Sequence, residues 1–282
     1  MSILLLGSSG YLGQFLVGAW ERHGTRGVSL ITERSVAGRR IDAERPDDFV
    51  SLIRDVRPRL VVNCIAAIPT PDMPLAARRG IAVNALLPHV LADACSGENL
   101  RLLHVSTDGV FSGARGPHAE VDSSDARDLY GRTKALGEVA LPGTLTVRTT
   151  FVGFSPVRRG MLQWLVDQAR AGAATVPGFF EYFFTPISLS AFLRIVAAAE
   201  STTVASSGIV HLPGPEVSKA ALLERVSERL GLGTRVIPVA HERVDRRLAT
   251  VNSWETLGLS VPSMENLLDD CAAEYSALTV RK

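Results

Sequence analysis

Short apolar runs alternate with longer amphipathic stretches through the first half of the chain. Residues 3–6, 28–31, 60–64, 100–106 and 145–147 form the apolar runs, and residues 11–23, 46–56, 75–95 and 129–141 carry helical periodicity. Short runs that are apolar at every position are typical of strands buried on both faces. Strands of this kind that alternate with helices predict a doubly wound α/β fold, in which helices cover both faces of a parallel sheet. Pro88 predicts a break or kink in the third helix.

The second half of the chain has a less regular pattern. Helical periodicity occurs at residues 160–171, 188–200, 218–230 and 264–278, short strands at 208–212 and 236–239, and an aromatic cluster at 179–184. We expect residues 1–150 to form one domain, to which residues 186–212 return. Residues 151–185 and 213–282 are then expected to form a smaller C-terminal α/β lobe.

Composition narrows the possible partners. The 282 residues carry a formal net charge of +1, which gives no electrostatic case for nucleic acid or an anionic membrane as partner. The longest apolar run, residues 61–68, is far shorter than the ~20 residues of a membrane span. The three cysteines have no metal-ligand spacing, so we expect no metal site and a reducing compartment. We also expect no signal peptide, because the first strand begins directly after Met1 and Ser2, and hence a cytoplasmic protein.

A glycine motif with the spacing Gly-x-x-Gly-x-x-Gly follows the first predicted strand and opens the first helix. Glycine allows a tight turn, a close approach of the backbone to a diphosphate, and close packing of the helix on the strand. The helix N-terminus then offers free N–H groups to the anion. The motif predicts a Rossmann-like, NAD(P)-binding first domain, with cofactor contacts from Gly7, Ser9, Gly10, Tyr11, Leu12 and Gly13.

The tip of the second strand decides between NADPH and NADH. An acid there binds the ribose 2′-hydroxyl of NAD, whereas an arginine accommodates the 2′-phosphate of NADP. Thr32, Arg34 and Ser35 suit the phosphate, with Arg39 and Arg40 nearby. Glu33 opposes this interpretation unless its side chain points away from the cofactor. We favour NADPH on this pattern and leave NADH open.

Two further residues complete the predicted cofactor set. Asp42, at the next short apolar segment, could accept a hydrogen bond from the adenine amine, although a plain loop aspartate is an equally open interpretation. Ala66 follows the third strand and is expected to border the same cofactor.

Tyr130 and Lys134 lie four residues apart in a predicted helix and therefore project from one face, about 6 Å apart. An ammonium at that distance is expected to lower the pKa of the phenol from ~10, so that the pair transfers protons near neutral pH. The chain has only three lysines and four tyrosines, which makes this spacing unusual by chance. Thr107 and Asp108 end the fourth strand, at the carboxyl edge where such sheets bind ligands. We expect the Thr107 hydroxyl to bind a carbonyl oxygen beside Tyr130.

The order of these motifs resembles that of the extended short-chain dehydrogenases/reductases, and most of all the dTDP-4-dehydrorhamnose reductase group. The resemblance covers nearly the whole chain and is most specific in the first 150 residues. It rests on the glycine motif, Val62-Asn63, Val83-Asn84-Ala85, Ser106-Thr107-Asp108-Gly109, Tyr130 to Lys134, Arg148-Thr149, Thr185-Pro186 and Val251-Asn252-Ser253.

The resemblance implies an oxidoreductase that uses NADPH, or NADH, to reduce a nucleotide-activated 4-keto-6-deoxy sugar in deoxysugar biosynthesis. Thr107, Tyr130 and Lys134 would be the catalytic residues, and Lys134 would also hold the nicotinamide ribose. The C-terminal lobe would bind the substrate, with contacts from Asp108, Phe151, Arg246 and Arg247, the two arginines serving the diphosphate.

Departures from the family pattern lie on the substrate side. Gly109 stands where a related 4,6-dehydratase has a glutamate, so we expect carbonyl reduction rather than dehydration. Gly109 also replaces the family's tyrosine beside the substrate. A non-catalytic NADP-binding regulatory subunit, a nucleotide-sugar epimerase and a reductase of another keto substrate stay open as alternatives. The sequence leaves open whether the protein forms a homodimer.

Overall fold

A six-stranded parallel sheet lies at the centre of the computed structural model, which describes residues 2–36, 41–69, 74–201, 207–250 and 253–279. The strands, in chain order, are β1 (Ser2–Leu6), β2 (Ser29–Thr32), β3 (Leu60–Asn63), β4 (Arg101–Val105), β5 (Thr144–Arg148), β6 (Phe151–Val152), β7 (Thr175–Phe179), β8 (Tyr182–Phe184), β9 (Ile187–Ser188), β10 (Gly208–His211), β11 (Val217–Ser218), β12 (Arg235–Val239) and β13 (Val244–Asp245).

Helices connect most of these strands. They are α1 (Tyr11–His23), α2 (Pro46–Val56), α3 (Ala77–Gly80), α4 (Leu87–Gly97), α5 (Leu129–Leu136), α6 (Met161–Arg170), α7 (Leu189–Ser201), α8 (Lys219–Arg229), α9 (Ser253–Thr256) and α10 (Met264–Thr279). A π-helical turn, Ile81–Leu86, joins α3 to α4, and a 3₁₀ turn, Asp108–Val110, follows β4.

The central sheet has the strand order β2-β1-β3-β4-β5-β10, with every neighbouring pair parallel. The order reverses between β1 and β3, and the crevice outside the carboxyl ends of such a pair is where open α/β sheets bind ligands. The predicted fold class, a Rossmann-like doubly wound sheet with a smaller α/β lobe, is confirmed. The glycine motif and Cys64 both lie at this reversal point.

Alternate residues of β1 pack into different cores, as expected for a strand buried on both faces. Ile3 and Leu5 contact the core formed by α1 and α7, whereas Leu4 and Leu6 contact the core formed by α2 and α4. Helices thus cover both faces of the sheet. β10 pairs with β5 and extends the sheet by one strand.

A third core lies among α6, α8, α10 and the short sheets. β12 pairs in parallel with β7, and β8 pairs with both β11 and β13. Leu165, Leu222 and Leu267 are among its buried members. The division at residues 150, 185 and 213 stays a prediction. Among the described residues, no helix is both long enough and apolar enough to cross a membrane.

Two predicted helices differ from the observed ones. The helix predicted over 75–95 is interrupted, but by the π-helical turn before Pro88, and Pro88 itself lies in the first turn of α4, where a missing N–H is tolerated. The helix predicted over 129–141 ends at Leu136. Gly137 follows it because a Cβ there would lie 1.9 Å from the backbone oxygen of Asn84.

Candidate functional site

The glycine motif forms a tight turn between β1 and α1. Gly7 has φ +89°, and a Cβ on it would lie 2.9 Å from the carbonyl carbon of Cys64. A Cβ on Gly13 would lie 2.1 Å from the Gly7 oxygen, so α1 can approach β1 only because this residue is glycine. Gly10 is the N-cap of α1 and provides no side-chain cap, which leaves N–H groups of the first turn for a ligand. The turn fits the diphosphate of a dinucleotide.

Two other members of the motif hold the start of α1 against the rest of the protein. The Tyr11 hydroxyl donates to the Gly153 oxygen at 2.7 Å, and the Ser155 hydroxyl donates to the Tyr11 oxygen at 2.6 Å. Leu12 is buried in the core under the sheet. Ser9 is exposed at the turn, and its oxygen is 3.5 Å from the side-chain amide of Gln14.

The Glu33 side chain points towards Ser8 in the glycine turn and does not point away from it. Its Oε1 accepts hydrogen bonds from the backbone N–H and the hydroxyl of Ser8, both at 3.0 Å. Thr32 and Ser35 hydrogen-bond to each other across a turn, and Arg34 is exposed. Arg39 and Arg40 lie outside the described residues.

The remaining predicted cofactor residues lie on loops at the carboxyl edge. The Asp42 carboxylate accepts a hydrogen bond from the Glu44 N–H at 3.0 Å, and its contact with adenine stays a prediction. Ala66 is partly buried just after β3. Its neighbour Ala67 is held by the side chain of Asn84, which accepts from the Ala67 N–H at 2.8 Å and donates to the Ala67 oxygen at 2.9 Å.

The three predicted catalytic residues come from β4 and α5. Thr107 caps the 3₁₀ turn after β4, where its hydroxyl oxygen accepts from the Gly109 N–H at 3.0 Å and donates to Asp108 at 3.2 Å. Tyr130 lies in the first turn of α5, close enough to Thr107 for the threonine hydroxyl to influence the pKa of the phenol. Lys134 is 2% exposed, and its Nζ donates to the Val105 oxygen at 2.7 Å.

Close backbone packing brings α5 to the end of β4. A Cβ on Gly131 would lie 2.2 Å from the Gly109 oxygen, so glycine is required beside the tyrosine. The N-cap residue Asp128 accepts a hydrogen bond from the Gly131 N–H at 2.8 Å and fixes where the helix begins. Thr107 and Tyr130 are thereby held together although they are 23 residues apart in the sequence.

The pKa of Tyr130 moves in the direction opposite to the one expected from its spacing with Lys134. Burial raises the pKa of the Tyr130 phenol to about 12, and the Thr107 hydroxyl lowers it in part. Burial also lowers the pKa of the Lys134 ammonium to about 8. Tyr130 is therefore protonated at neutral pH, which suits a proton donor. The predicted lowering of its pKa by Lys134 is wrong, because desolvation of the phenol is the largest influence and the partial lowering comes from Thr107 and Arg246.

A cavity of about 480 Å³ opens beside Asp108 and is lined by residues of β6, β7, β8, α6 and α8. Five aromatic side chains contribute to its walls, and the predicted substrate residue Phe151 is one of them, in edge-to-face contact with Phe192 at 5.1 Å. A Cβ on Gly109 would lie 3.6 Å from Cε1 of Tyr130, so the absent side chain leaves space next to the phenol. The cavity walls include Asp108, Thr150, Phe151, Trp164, Phe179, Tyr182, Phe184 and Lys219.

The two predicted diphosphate arginines occupy different environments. Nη1 of Arg246 donates a hydrogen bond to the Tyr182 hydroxyl at 3.4 Å. The positive charge of Arg246 lowers the pKa of both Asp108 and Tyr130 in part. Arg247 instead forms ion pairs with Asp245 at 2.7 Å and Glu216 at 2.6 Å. These carboxylates raise the pKa of Arg247 further and hold its side chain. The structure brings Arg246 into contact with Tyr182 of the cavity wall, whereas Arg247 is held by its two carboxylate partners.

Lys219 is a cavity residue that sequence reasoning did not identify. It begins α8, and its Nζ lies 3.5 Å from the centre of the Tyr182 ring. Burial lowers its pKa, and the Asp108 carboxylate raises it in part. Lys219 is one of only three lysines in the chain. Its place at the start of an amphipathic helix gave no signal that it faces a cavity.

The sequence matches known proteins over most of its length. A family model described as the RmlD substrate binding domain matches residues 1–251. A probable dTDP-4,6-dihydroxy-2-methyloxan-3-one 4-ketoreductase of Streptomyces antibioticus is 32% identical over 62% of this chain and 60% of that protein. A probable low-salt glycan biosynthesis reductase of Haloferax volcanii, Agl14, is 28% identical over 99% of both chains. A dTDP-4-dehydrorhamnose reductase of Burkholderia thailandensis is 32% identical over 54% of this chain and 50% of that protein. The chain thus spans about half the length of several of the relatives that it matches.

Solved structures share the fold. A dTDP-4-dehydrorhamnose reductase of Clostridium acetobutylicum has a TM-score of 0.79 at 19% identity, over 99% of this chain and 100% of that one. The Bacillus anthracis reductase in complex with NADP has a TM-score of 0.80 at 17% identity, over 97% and 99% of the two chains. The Bordetella bronchiseptica enzyme WbmG in complex with NAD and UDP has a TM-score of 0.76 at 18% identity, over 99% and 94%.

Proposed function

The chain belongs to the RmlD substrate binding domain family, and on this basis we propose that it is a reductase of a nucleotide-activated 4-keto-6-deoxy sugar. The reaction would be of the dTDP-4-dehydrorhamnose reductase type, with NADPH or NADH as reductant. One observation carries the proposal. Thr107 and Tyr130 are neighbours, Lys134 lies one turn further along α5, and the cavity opens at Asp108, the residue after Thr107.

Each residue has a distinct part in the reaction. When bound, the nicotinamide would supply a hydride to the keto carbon of the sugar. Tyr130, which is protonated because its pKa is raised to about 12, donates its proton to the oxygen as the carbonyl becomes an alcohol. Thr107 hydrogen-bonds the same oxygen and orients it. Lys134 is fixed by Val105 and has further N–H groups for the ribose hydroxyls of the cofactor.

The substrate would lie in the cavity beside Asp108. The aromatic walls, including Phe151 and Trp164, offer contact area for the base and the sugar. Arg246 and Lys219 carry positive charge on one side and would bind the diphosphate. The assembled catalytic residues argue against the regulatory-subunit alternative. The reaction would take place in the cytoplasm, where the reduced cofactor is available. The homodimer stays a prediction.

The test measures oxidation of NADPH and of NADH against a panel of nucleotide-linked 4-keto sugars. At least one sugar should be turned over by the wild-type protein. Tyr130→Phe should lower the rate by roughly 10²-fold or more, because the proton donor is lost, while cofactor binding stays unchanged. Tyr275→Phe removes a hydroxyl from α10 and serves as the matched control. Turnover by Tyr130→Phe at the wild-type rate would overturn the proposed role.

A further inference from the structure

The buried ammonium of Lys134 forms its hydrogen bond with a neutral group. Lys134 is 2% exposed, and its Nζ donates to the carbonyl oxygen of Val105 at 2.7 Å. A carbonyl oxygen carries no net charge, and a buried charge is costly unless an opposite charge compensates it. We therefore expect an acidic group near Lys134 to supply the compensating charge.

Glu138 is an acidic group with a fixed position near Lys134. It lies four residues after Lys134, just beyond the end of α5, and its side chain is 4% exposed. The Ser106 hydroxyl donates to its Oε1 at 2.7 Å. Arg148 donates to the same oxygen through Nε at 2.8 Å and to Oε2 through Nη2 at 2.7 Å. Three donors therefore hold the Glu138 carboxylate in place.

The end of β4 holds Lys134 and Glu138 through two consecutive residues. The oxygen of Val105 accepts from Lys134, and the hydroxyl of Ser106 donates to Glu138. The next residue along the chain is Thr107. The ammonium and the carboxylate are thus fixed to the same end of the sheet, directly before the threonine of the candidate site.

The other titratable side chains around this pair are neutral. Burial raises the pKa of the Cys64 thiol, and it raises the pKa of the Tyr130 phenol to about 12. Burial lowers the pKa of the His104 imidazole, and it lowers the pKa of His211 to about 4. These four groups therefore provide no negative charge for Lys134 near pH 7.

We propose that Glu138 is a positioning residue that stabilises the positive charge of Lys134. Its carboxylate is held by Ser106 and Arg148, and its attraction for the ammonium extends beyond hydrogen-bonding distance because the interior has a low dielectric constant. Burial lowers the pKa of Lys134 to about 8, and the charge of Glu138 raises it in part. Without Glu138 the lysine would lose its proton closer to neutral pH. The proposal rests on the proposed function only in the use of this charge, which there binds the ribose hydroxyls of the cofactor.

The experiment follows the protonation of Lys134 directly. The chain has three lysines, Lys134, Lys219 and Lys282, so a carbon-13 label at Cε of lysine gives three side-chain signals in an NMR spectrum. Lys219→Arg and Lys282→Arg assign the other two signals by their loss. In the wild-type protein without cofactor or sugar, the Lys134 signal should titrate with a midpoint near pH 8. Glu138→Gln should lower this midpoint by at least about one pH unit, a tenfold loss of proton affinity.

Three further variants separate the charge of Glu138 from its structural contribution. Glu138→Asp keeps the charge and should keep the midpoint near the wild-type value. Glu98→Gln is the matched control, because it removes the same charge from an ion pair with Arg57 at 2.8 Å, and it should leave Lys134 unchanged. Glu138→Gln leaves Arg148 buried without its counter-charge and can impair folding. The double variant Glu138→Gln, Arg148→Met removes both charges and should still lower the midpoint. Thermal unfolding checks that each variant folds.

The possible results also separate this proposal from the proposed function. A wild-type midpoint for Lys134 in folded Glu138→Gln, or in the folded double variant, would overturn the proposal and leave Glu138 as part of a structural ion pair. A lower midpoint in these variants, with the wild-type value in Glu98→Gln, would support it. The titration requires neither cofactor nor sugar, so a protein that shows this shift but reduces no keto sugar would overturn the proposed function alone.

Discussion

The side-chain amide of Asn84 donates a hydrogen bond to the hydroxyl of Thr133 at 3.1 Å and so ties the π-helical turn to α5. The same side chain makes two hydrogen bonds with the backbone of Ala67. Asn84 is fully buried and therefore links the loop after β3 to the helix that carries Tyr130 and Lys134. Single turns of π-helix are frequent at functional sites. This turn places the side-chain amide of Asn84 between the loop after β3 and α5.

Asn84→Ala should lower both stability and cofactor affinity. The substitution leaves the buried N–H and oxygen of Ala67 without their side-chain partner, which we expect to cost about 3 kcal/mol of unfolding free energy. The dissociation constant for NADH should rise, because Ala66 and Ala67 border the predicted cofactor site. Urea unfolding and calorimetric titration measure the two effects. Asp93→Ala, an exposed change on α4, should alter stability by less than about 0.5 kcal/mol. Equal stabilities of the two variants would contradict this role for Asn84.

The sequence predicted the central sheet because its signals are local. Fully apolar runs and the glycine motif lie within a few residues of each other, and the elements α1 and α2 have the predicted bounds. The short strands around the cavity carried no comparable signal. β6 and β9 have two residues each and exist because they pair with each other across the chain.

Sequence reasoning identified the site residues whose function follows from their residue type. It missed the site residues whose function depends on where the fold directs the side chain. Thr107 and Tyr130 are brought together as expected. The direction of the Glu33 side chain depends on a hydrogen bond to Ser8, which is 25 residues away in the sequence. Likewise, Arg246 and Arg247 are adjacent in the sequence, and only the ion pairs of Arg247 separate their environments.

Gly10 and Gly13 should respond differently to alanine. A Cβ on Gly13 would lie 2.1 Å from the Gly7 oxygen, so Gly13→Ala must displace backbone and should cost about 3 kcal/mol of stability. A Cβ on Gly10 would lie 3.3 Å from the same oxygen, and its φ of −79° is open to alanine. Gly10→Ala should therefore cost about 1 kcal/mol or less but weaken NADH binding at least tenfold, because the methyl group occupies space needed by the diphosphate.

Thermal unfolding and calorimetric titration of these variants distinguish packing from ligand contact. Gly18→Ala on the same helix is the control, since a Cβ there has no atom within 4 Å, and it should leave both stability and binding near the wild-type values or raise stability slightly. NADH binding by Gly10→Ala with wild-type affinity would mean that the diphosphate does not approach this turn.

Lys219→Met should raise the KM for the nucleotide sugar more than it lowers kcat. The ammonium lies over Tyr182 at the cavity, and a charge-assisted hydrogen bond to a diphosphate is worth about 2 kcal/mol, or roughly thirtyfold in affinity. The chemical step uses Tyr130 and should be little affected. Arg225→Met removes a positive charge from an exposed position of α8 and should leave KM unchanged. If both variants have the wild-type KM, Lys219 does not contact the substrate.

Glu274 should make the stability of the protein depend on pH. This carboxylate on α10 is 3% exposed and accepts hydrogen bonds from the N–H of Phe154 at 3.0 Å and from the N–H and hydroxyl of Ser190 at 2.8 Å. Burial raises its pKa from 4.5 to about 7, the hydrogen bonds lower it in part, and the negative charge of Asp270 raises it further. Between these two pKa values the folded protein binds more protons than the unfolded chain does.

The sign of the effect follows from this difference in bound protons. The stabilisation that comes from protonated Glu274 is complete below pH ~4.5 and is lost as the pH rises through ~7, with a total of about 3 kcal/mol. Urea unfolding of the wild-type protein and of Glu274→Gln between about pH 5 and pH 8 isolates this contribution, because an amide does not titrate. The wild-type protein should lose about 2.5 kcal/mol of unfolding free energy relative to Glu274→Gln across that interval. Altered hydrogen bonds in Glu274→Gln change the free energy of unfolding by the same amount at every pH and therefore do not change its pH dependence. Glu228→Gln, an exposed change on α8, should show no such trend. A pH-independent difference between the wild-type protein and Glu274→Gln would mean that burial does not hold a proton on this carboxylate.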